Sequence, residues 1–181
     1  MDPILVEQKG HTAVVTINHP PANAWNLTTM EAFEACVNAL EADDQVRVIL
    51  LTGAGDRCFS AGFDVKDAAN GPKIGALGRS LWTRLDRFAK PVIAAINGFA
   101  LGGGLELALS CHFRIMADAP KIFIGLTELN LGIIPGWGGT QRLTQVVGKA
   151  KALDMILFSK TVNAKEALAI GLVNQIAAPD K

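Results

Sequence analysis

Three consecutive glycines, Gly102-Gly103-Gly104, interrupt a long apolar stretch running from Pro91 to Cys111. The stretch is long and apolar enough to raise the question of a transmembrane helix. Asn97, Gly98, the three glycines and Glu106 argue against one, because a mid-span carboxylate is costly in lipid. It divides instead into a buried strand over Pro91–Ile96, a glycine turn and a helix over Leu105–Ser110. Glycines carry an entropic cost inside an element, so their use is at a turn where the backbone approaches something closely. A helix starting there points free N–H groups and a partial positive charge outward, toward an oxygen bearing negative charge. Glu106 lies early in this helix, flanked by Leu105, Leu107, Ala108 and Leu109. A carboxyl group in that company is expensive unless it is paired, protonated or functional.

Two further segments have related character. Phe59-Ser60-Ala61-Gly62-Phe63-Asp64 reads as a loop after a strand, in which Gly62 can bring the N–H of Phe63 toward a ligand. Taken alone it is an ordinary turn. Gly125 to Thr140 places a second glutamate, Glu128, among apolar residues ahead of the glycine turn Gly136–Gly139. Two glutamates in apolar surroundings, each beside a glycine turn, are more specific than either by itself. Trp137, inside that turn, stands apart from Trp25 and Trp82, which read as packing residues. Other signatures fail: there is no GxGxxG after a strand, no GxxxxGK[ST], no HExxH and no G-x-S-x-G around Ser60 or Ser110.

The chain between these segments is rich in regular structure. Ile4–Lys9 and Thr12–Asn18 predict a hairpin turning at Gly10-His11. Thr28-Thr29-Met30-Glu31 matches a capping box, followed by Met30, Phe33, Val37 and Leu40 at helical spacing. Val46–Thr52 predicts a buried strand. Asp67–Lys73 reads as a mobile polar loop before a helix with Leu77, Leu81, Leu85 and Phe88 on one face. Strands are expected at Phe113–Ala117, Lys121–Gly125 and Leu172–Ile176, and helices after Gly139 to Val147, at Lys149–Phe158 and at Ala164–Ile170. The recurring order of strand, strand and helix argues for a layered α/β fold in a single domain. Lys plus Arg and Asp plus Glu each number 17, which gives no general pull toward nucleic acid or an anionic membrane. Cys36, Cys58 and Cys111 are unpaired in spacing, and no signal-peptide pattern opens the chain, so a reducing, cytoplasmic setting is expected.

Taken together, Asn97–Ala108 and Leu-Gly-Ile-Ile-Pro-Gly-Trp-Gly-Gly-Thr-Gln-Arg-Leu at 131–143 resemble the crotonase (enoyl-CoA hydratase/isomerase) family, from about Ile4 to the end. The resemblance implies an α/β crotonase-like spiral of repeated β-β-α units over residues 1–181. It implies an oxyanion hole from the N–H groups of Phe63 and Gly103, and Glu106 and Glu128 as the acid/base pair. It implies a strip around Ala24, Trp25, Ala61, Asp64 and Val65 for the CoA moiety, with Lys66 toward the CoA phosphates and Gly136 in the turn beside the second glutamate. Two aimed N–H donors each contribute about 3 kcal/mol to stabilising an enolate-like transition state. Two carboxyls in one apolar site have their pKa values separated by repulsion and desolvation.

The function implied is hydration of a short-chain 2-enoyl-CoA, with no metal or redox cofactor beyond the CoA of the substrate. Alternatives are an isomerase or other crotonase-type reaction, or an inactive acyl-CoA-binding subunit. Trp137 is expected to shorten the acyl pocket, favouring a short or polar acyl group. The partner implied is an acyl-CoA thioester, not nucleic acid or membrane, and the assembly a homotrimer or hexamer. His112–Thr127 is a residue or two longer than the family pattern, an offset expected to shift Glu128 relative to Glu106. Family members also continue past the point matching Lys181 with a helical segment that covers the acyl site, contacts CoA and helps assemble trimers. The core here is expected without that segment.

Overall fold

The computed structural model describes residues 2–178. Its plan is a strand pair followed by a helix, repeated, and after the first pair the two strands of each pair go to different sheets. Hairpin strands β1 (Ile4–Lys9) and β2 (Thr12–Ile17) start the larger sheet, followed by α1 (Leu27–Ala42). Then come β3 (Val48–Gly53), β4 (Cys58–Ser60) and α2 (Gly71–Asp86). The next unit is β5 (Val92–Ile96), β6 (Phe99–Leu101) and α3 (Gly103–Ser110). The fourth is β7 (Phe113–Ala117), β8 (Ile124–Gly125) and α4 (Gly139–Val147). Helices α5 (Lys149–Leu157) and α6 (Ala164–Ala169) lead to β9 (Gln175–Ala177).

The six-stranded sheet runs β1-β2-β3-β5-β7-β9, parallel except for the β1–β2 hairpin, and β4-β6-β8 form a parallel three-stranded sheet. Alternate residues of β2, β3 and β5 are buried: Ala13, Val15 and Ile17, then Ile49 and Leu51, then Val92, Ala94 and Ile96. They join one core with Phe33, Trp25, Trp82 and Leu105. Asn97 links adjacent units, accepting from Gly53 N–H at 3.1 Å and donating to the carbonyls of Gly53 and Gly55 at 2.8 and 2.7 Å.

Several expectations are corrected. The cap of α1 is Asn26, which accepts from Thr29 N–H at 2.8 Å, so Thr28 lies inside the helix. A cap at Thr28 would accept from an N–H two or three residues further on; with Asn26 in that role the helix begins at Leu27. Cys58–Ser60 is a strand because β6 offers it a parallel neighbour. Residues 65–70 form a 3-10 helix, capped by Asp64 on Lys66 N–H at 3.0 Å, and α2 begins at Gly71, so no loop separates them. The strand expected over Lys121–Gly125 contracts to two residues, and β9 starts at Gln175 rather than Leu172. No helix among the described residues is long and apolar enough to cross a membrane.

Candidate active site

The start of α3 is built by close approach. Gly102 has a positive φ of 53° and donates its N–H to Gly125 O at 2.9 Å, tying the helix to β8. A Cβ at Gly103 would overlap the Trp137 indole, and one at Gly104 the carbonyl of Ser60. Gly62, with φ 83°, brings its own α-carbon against the same helix end, where a Cβ would stand 2.7 Å from Gly103 N. The next residue, Phe63, bridges to Trp25 as a parallel neighbour. In that bridge Trp25 N–H donates to Gly62 O at 2.8 Å and Asp64 N–H to Trp25 O at 3.1 Å, which leaves the Phe63 N–H facing the other way. Among the described residues, neither the Phe63 nor the Gly103 N–H has an acceptor.

Helix α3 is buried along its whole length, and Glu106 is only 2% exposed. Its Oε1 accepts from Trp137 N–H at 2.8 Å and from Gly139 N–H at 2.7 Å. The glycine turn before α4 thus wraps one carboxylate oxygen. Arg142, in the first turn of α4, donates to Trp137 O at 2.9 Å, and its Nε lies 3.6 Å from Asp86. Burial pushes the Glu106 carboxyl above its ordinary range, while the N–H groups of Gly139 and Trp137 and the Arg142 charge oppose the shift. These holding groups escaped the sequence reading.

Glu128 opens a short 3-10 turn, Glu128–Leu131, and is 8% exposed. Its carboxyl adjoins the α-carbon of Gly102, where a Cβ would stand 3.1 Å from Oε1. Its Oε2 is buried without a hydrogen-bond partner among the described residues. Burial first, then the charge of Glu106, raise its pKa to about 7, against a smaller lowering by its own N–H. The shift of Glu128 relative to Glu106 expected from the sequence does not take the two glutamates apart, since both line one cavity.

Phe63, Gly103, Glu106, Glu128, Gly136 and Trp137 line a single cavity of about 220 Å³. The other predicted positions lie along the bridge leading from it. Trp25 is wholly buried with both main-chain groups bonded in the bridge, whereas Ala61, Val65 and Lys66 are exposed and Ala24 and Asp64 half-buried. Ala61 opens onto a separate cavity of about 210 Å³ that it shares with Arg57. The arrangement offers two unbonded N–H donors for an oxygen and two carboxyls of unequal surroundings for proton transfer, within one apolar enclosure.

The family model for enoyl-CoA hydratase/isomerase matches residues 7–181, and the chain belongs to that family. It is 44% identical to the short-chain-enoyl-CoA hydratase of Clostridium acetobutylicum, over 98% of this chain and 70% of that protein. It is 49% identical to a probable enoyl-CoA hydratase of Bacillus subtilis, over 93% of this chain and 66% of that protein. Among solved structures, the enoyl-CoA hydratase of Bacillus anthracis superposes with a TM-score of 0.94 at 36% identity, covering 98% of this chain and 71% of that one. The crotonase fold expected from the sequence is thereby shown. The chain spans about two thirds to 70% of the length of these curated relatives.

Proposed function

We propose that the chain hydrates short-chain 2-enoyl-CoA thioesters at the cavity between α3, α4 and the Glu128 turn. The observation that carries this reading is the convergence of two buried glutamates with two unbonded N–H donors in one apolar cavity. The thioester carbonyl oxygen accepts from Phe63 and Gly103 N–H, which places the alkene between the carboxyls. Ionised Glu106, its charge favoured by two N–H groups, takes a proton from water as the water oxygen bonds to the β-carbon. The alkene electrons move to the α-carbon and onto the carbonyl oxygen, giving an enolate that the two donors stabilise. Protonated Glu128 then delivers its proton to the α-carbon. A proton passed back from Glu106 to Glu128 through water restores the starting state. Aimed N–H donors and matched carboxyls are suited to this step, and the steps use no metal or redox cofactor.

The CoA portion follows the strip of Ala24, Trp25, Ala61, Asp64 and Val65, with Lys66 toward its phosphates. Relatives named short-chain-enoyl-CoA hydratase and crotonyl-CoA hydratase support the short acyl group. Self-association as a trimer or hexamer belongs to the same proposal, supported by the exposed apolar side chains of Leu131, Ile134 and Phe158. A cytoplasmic setting is proposed on the three free cysteines.

The test follows loss of the conjugated thioester in crotonyl-CoA and identifies the product. Formation of the 3-hydroxyacyl thioester, collapsing in Glu106→Gln and Glu128→Gln, is the expected result. A shifted double bond instead assigns an isomerase. A folded wild type that binds CoA without turnover overturns the enzymatic reading and points to a binding subunit.

A further inference from the structure

Helix α2 carries Gly71, Gly75 and Gly78, a spacing that sets all three on one helical face. That face borders the cavity of the two glutamates. Gly71 and Gly75 line it. Gly78 receives the Trp137 indole, whose ring atoms would lie 2.6–2.8 Å from a Cβ at that position. The indole is seated on other sides as well. Gly103 lies against its six-membered ring, and Trp82 meets it edge-on with centroids 5.4 Å apart at 75°. Trp137 is 6% exposed, and its main-chain N–H and C=O are bonded to Glu106 and Arg142.

A second cavity, of about 570 Å³, meets the first at Ile134, Gly136 and Trp137, which line both. Of the two side chains at this junction, Ile134 is 72% exposed, so only Trp137 is fixed by packing. Gly75 is the opposite case. A Cβ there meets nothing closer than an Arg79 nitrogen at 3.5 Å, so the absent side chain leaves usable room in the cavity.

We infer that Trp137, seated in the notch left by Gly78 and Gly103, is a specificity-determining residue that ends the acyl cavity, and that Gly75 sets its width. The site then takes short, straight acyl chains and refuses longer ones that would need the larger cavity. This rests on the acyl-thioester reading above. Each methylene moved from water into an apolar site favours binding by about fourfold. A wall at Trp137 forfeits that gain for every carbon beyond it, and removing the wall restores it.

The experiment measures kcat/KM for trans-2-enoyl-CoA thioesters of four, six, eight and ten carbons in the wild type, Trp137→Ala and Gly75→Leu, with circular dichroism to establish folding. Trp137→Ala is expected to raise the eight-to-four-carbon ratio by about tenfold or more, and Gly75→Leu to lower the six-to-four-carbon ratio by about tenfold. Folded variants that keep the wild-type ratios overturn the inference. If hollowing the core prevents Trp137→Ala from folding, Gly75→Leu decides alone, since a side chain at an open helical position does not threaten the fold: a lowered ratio sustains the inference and a constant one overturns it. A wild type that turns over none of the thioesters removes the hydratase reading but not this test. Dissociation constants for butyryl-CoA and octanoyl-CoA then replace the rates. Octanoyl-CoA binding about tenfold tighter in Trp137→Ala supports the wall, and equal binding overturns it.

Discussion

Glu106 and Glu128 open onto one cavity, but the chain holds them by opposite means. Glu106 projects from a buried helix, and two main-chain N–H groups of the turn before α4 grip one of its oxygens. Glu128 heads a single 3-10 turn and leaves one oxygen buried without a partner among the described residues. Burial raises the pKa of both. Only Glu106 has main-chain donors and a nearby guanidinium from other segments working against the shift. Two carboxyls near enough to repel are thus made unequal chiefly by giving the N–H groups of a glycine turn to one of them, with the Arg142 charge acting in the same direction.

The largest expected effect tests whether that inequality serves chemistry. Glu106→Gln keeps an amide oxygen for both N–H groups, so its folding stability is expected to stay within about 1 kcal/mol of the wild type. Its rate of crotonyl-CoA hydration is expected to fall about 10²–10⁴-fold, the usual share of a positioned acid or base. Glu128→Gln is expected to lose activity on the same scale. Denaturation midpoints beside the rates check this. A Glu106→Gln protein that hydrates at wild-type rate would reduce the gripped carboxylate to a structural post.

Glu128→Gln is also expected to differ from the wild type in the pH dependence of stability. Unfolded Glu128 ionises near its ordinary value of 4.5, while the folded carboxyl keeps its proton until about pH 7. Between those limits the folded chain binds more protons than the unfolded one, so stability falls as pH rises through the window and levels off above it. The contribution reaches up to roughly 3 kcal/mol. Urea titrations of the wild type and Glu128→Gln at several pH values measure it. The variant is expected to lack this slope and to be the more stable protein above neutrality. Parallel stability curves for the two proteins would break the contrast.

The sequence carries one half of this comparison more clearly than the other. The alternation in β2 and the short apolar runs of β3 and β5 make the large sheet legible, because each strand buries one face against the same core. The small sheet is less legible: β8 shows only as an over-long strand at Lys121–Gly125, and β4 and β6, three residues each, owe their pairing to neighbours far away in the chain. The same division holds at the site. Glu106, Glu128 and the glycines draw attention as charge and conformational freedom in apolar company. The N–H groups of Trp137 and Gly139 carry no sequence signal, since every residue but proline has one. Only the fold decides which carboxyl they reach. Asn26 shows the limit locally, where a side-chain oxygen three residues before Thr29 wins over the box motif beginning at Thr28.

Gly139→Ala disturbs the grip without touching a carboxyl. Its Cβ would stand 2.9 Å from both Cγ and Oε1 of Glu106 and 3.0 Å from Leu126, so either the side chain or the turn must move. Overpacking of this kind is expected to destabilise by about 1–3 kcal/mol. Because the displaced group is the carboxylate itself, kcat is expected to fall about tenfold or more, since small misplacements of reacting groups carry penalties of that order. A variant destabilised but with kcat intact would mean that the N–H groups hold the fold rather than the reacting geometry.

The matching change on the Glu128 side is Gly132→Ala, which is expected to have the smallest effect. Gly132 ends the 3-10 turn with φ 71°, and its N–H donates to Leu129 O at 3.0 Å. No atom lies within 4 Å of a Cβ built there, so the only penalty is the left-handed backbone, about 1–2 kcal/mol for a residue with a side chain. The Glu128 carboxyl rests against Gly102 rather than against this turn. Its position is therefore expected to survive, with kcat within about twofold of the wild type, well inside the loss a displaced reacting group produces. Thermal denaturation and steady-state rates on crotonyl-CoA measure the two quantities separately. Should Gly132→Ala lower kcat as far as Gly139→Ala does, Glu128 is held through its turn as firmly as Glu106 is held through its donors. The unequal proton affinities would then rest on burial and mutual charge rather than on how each carboxyl is held.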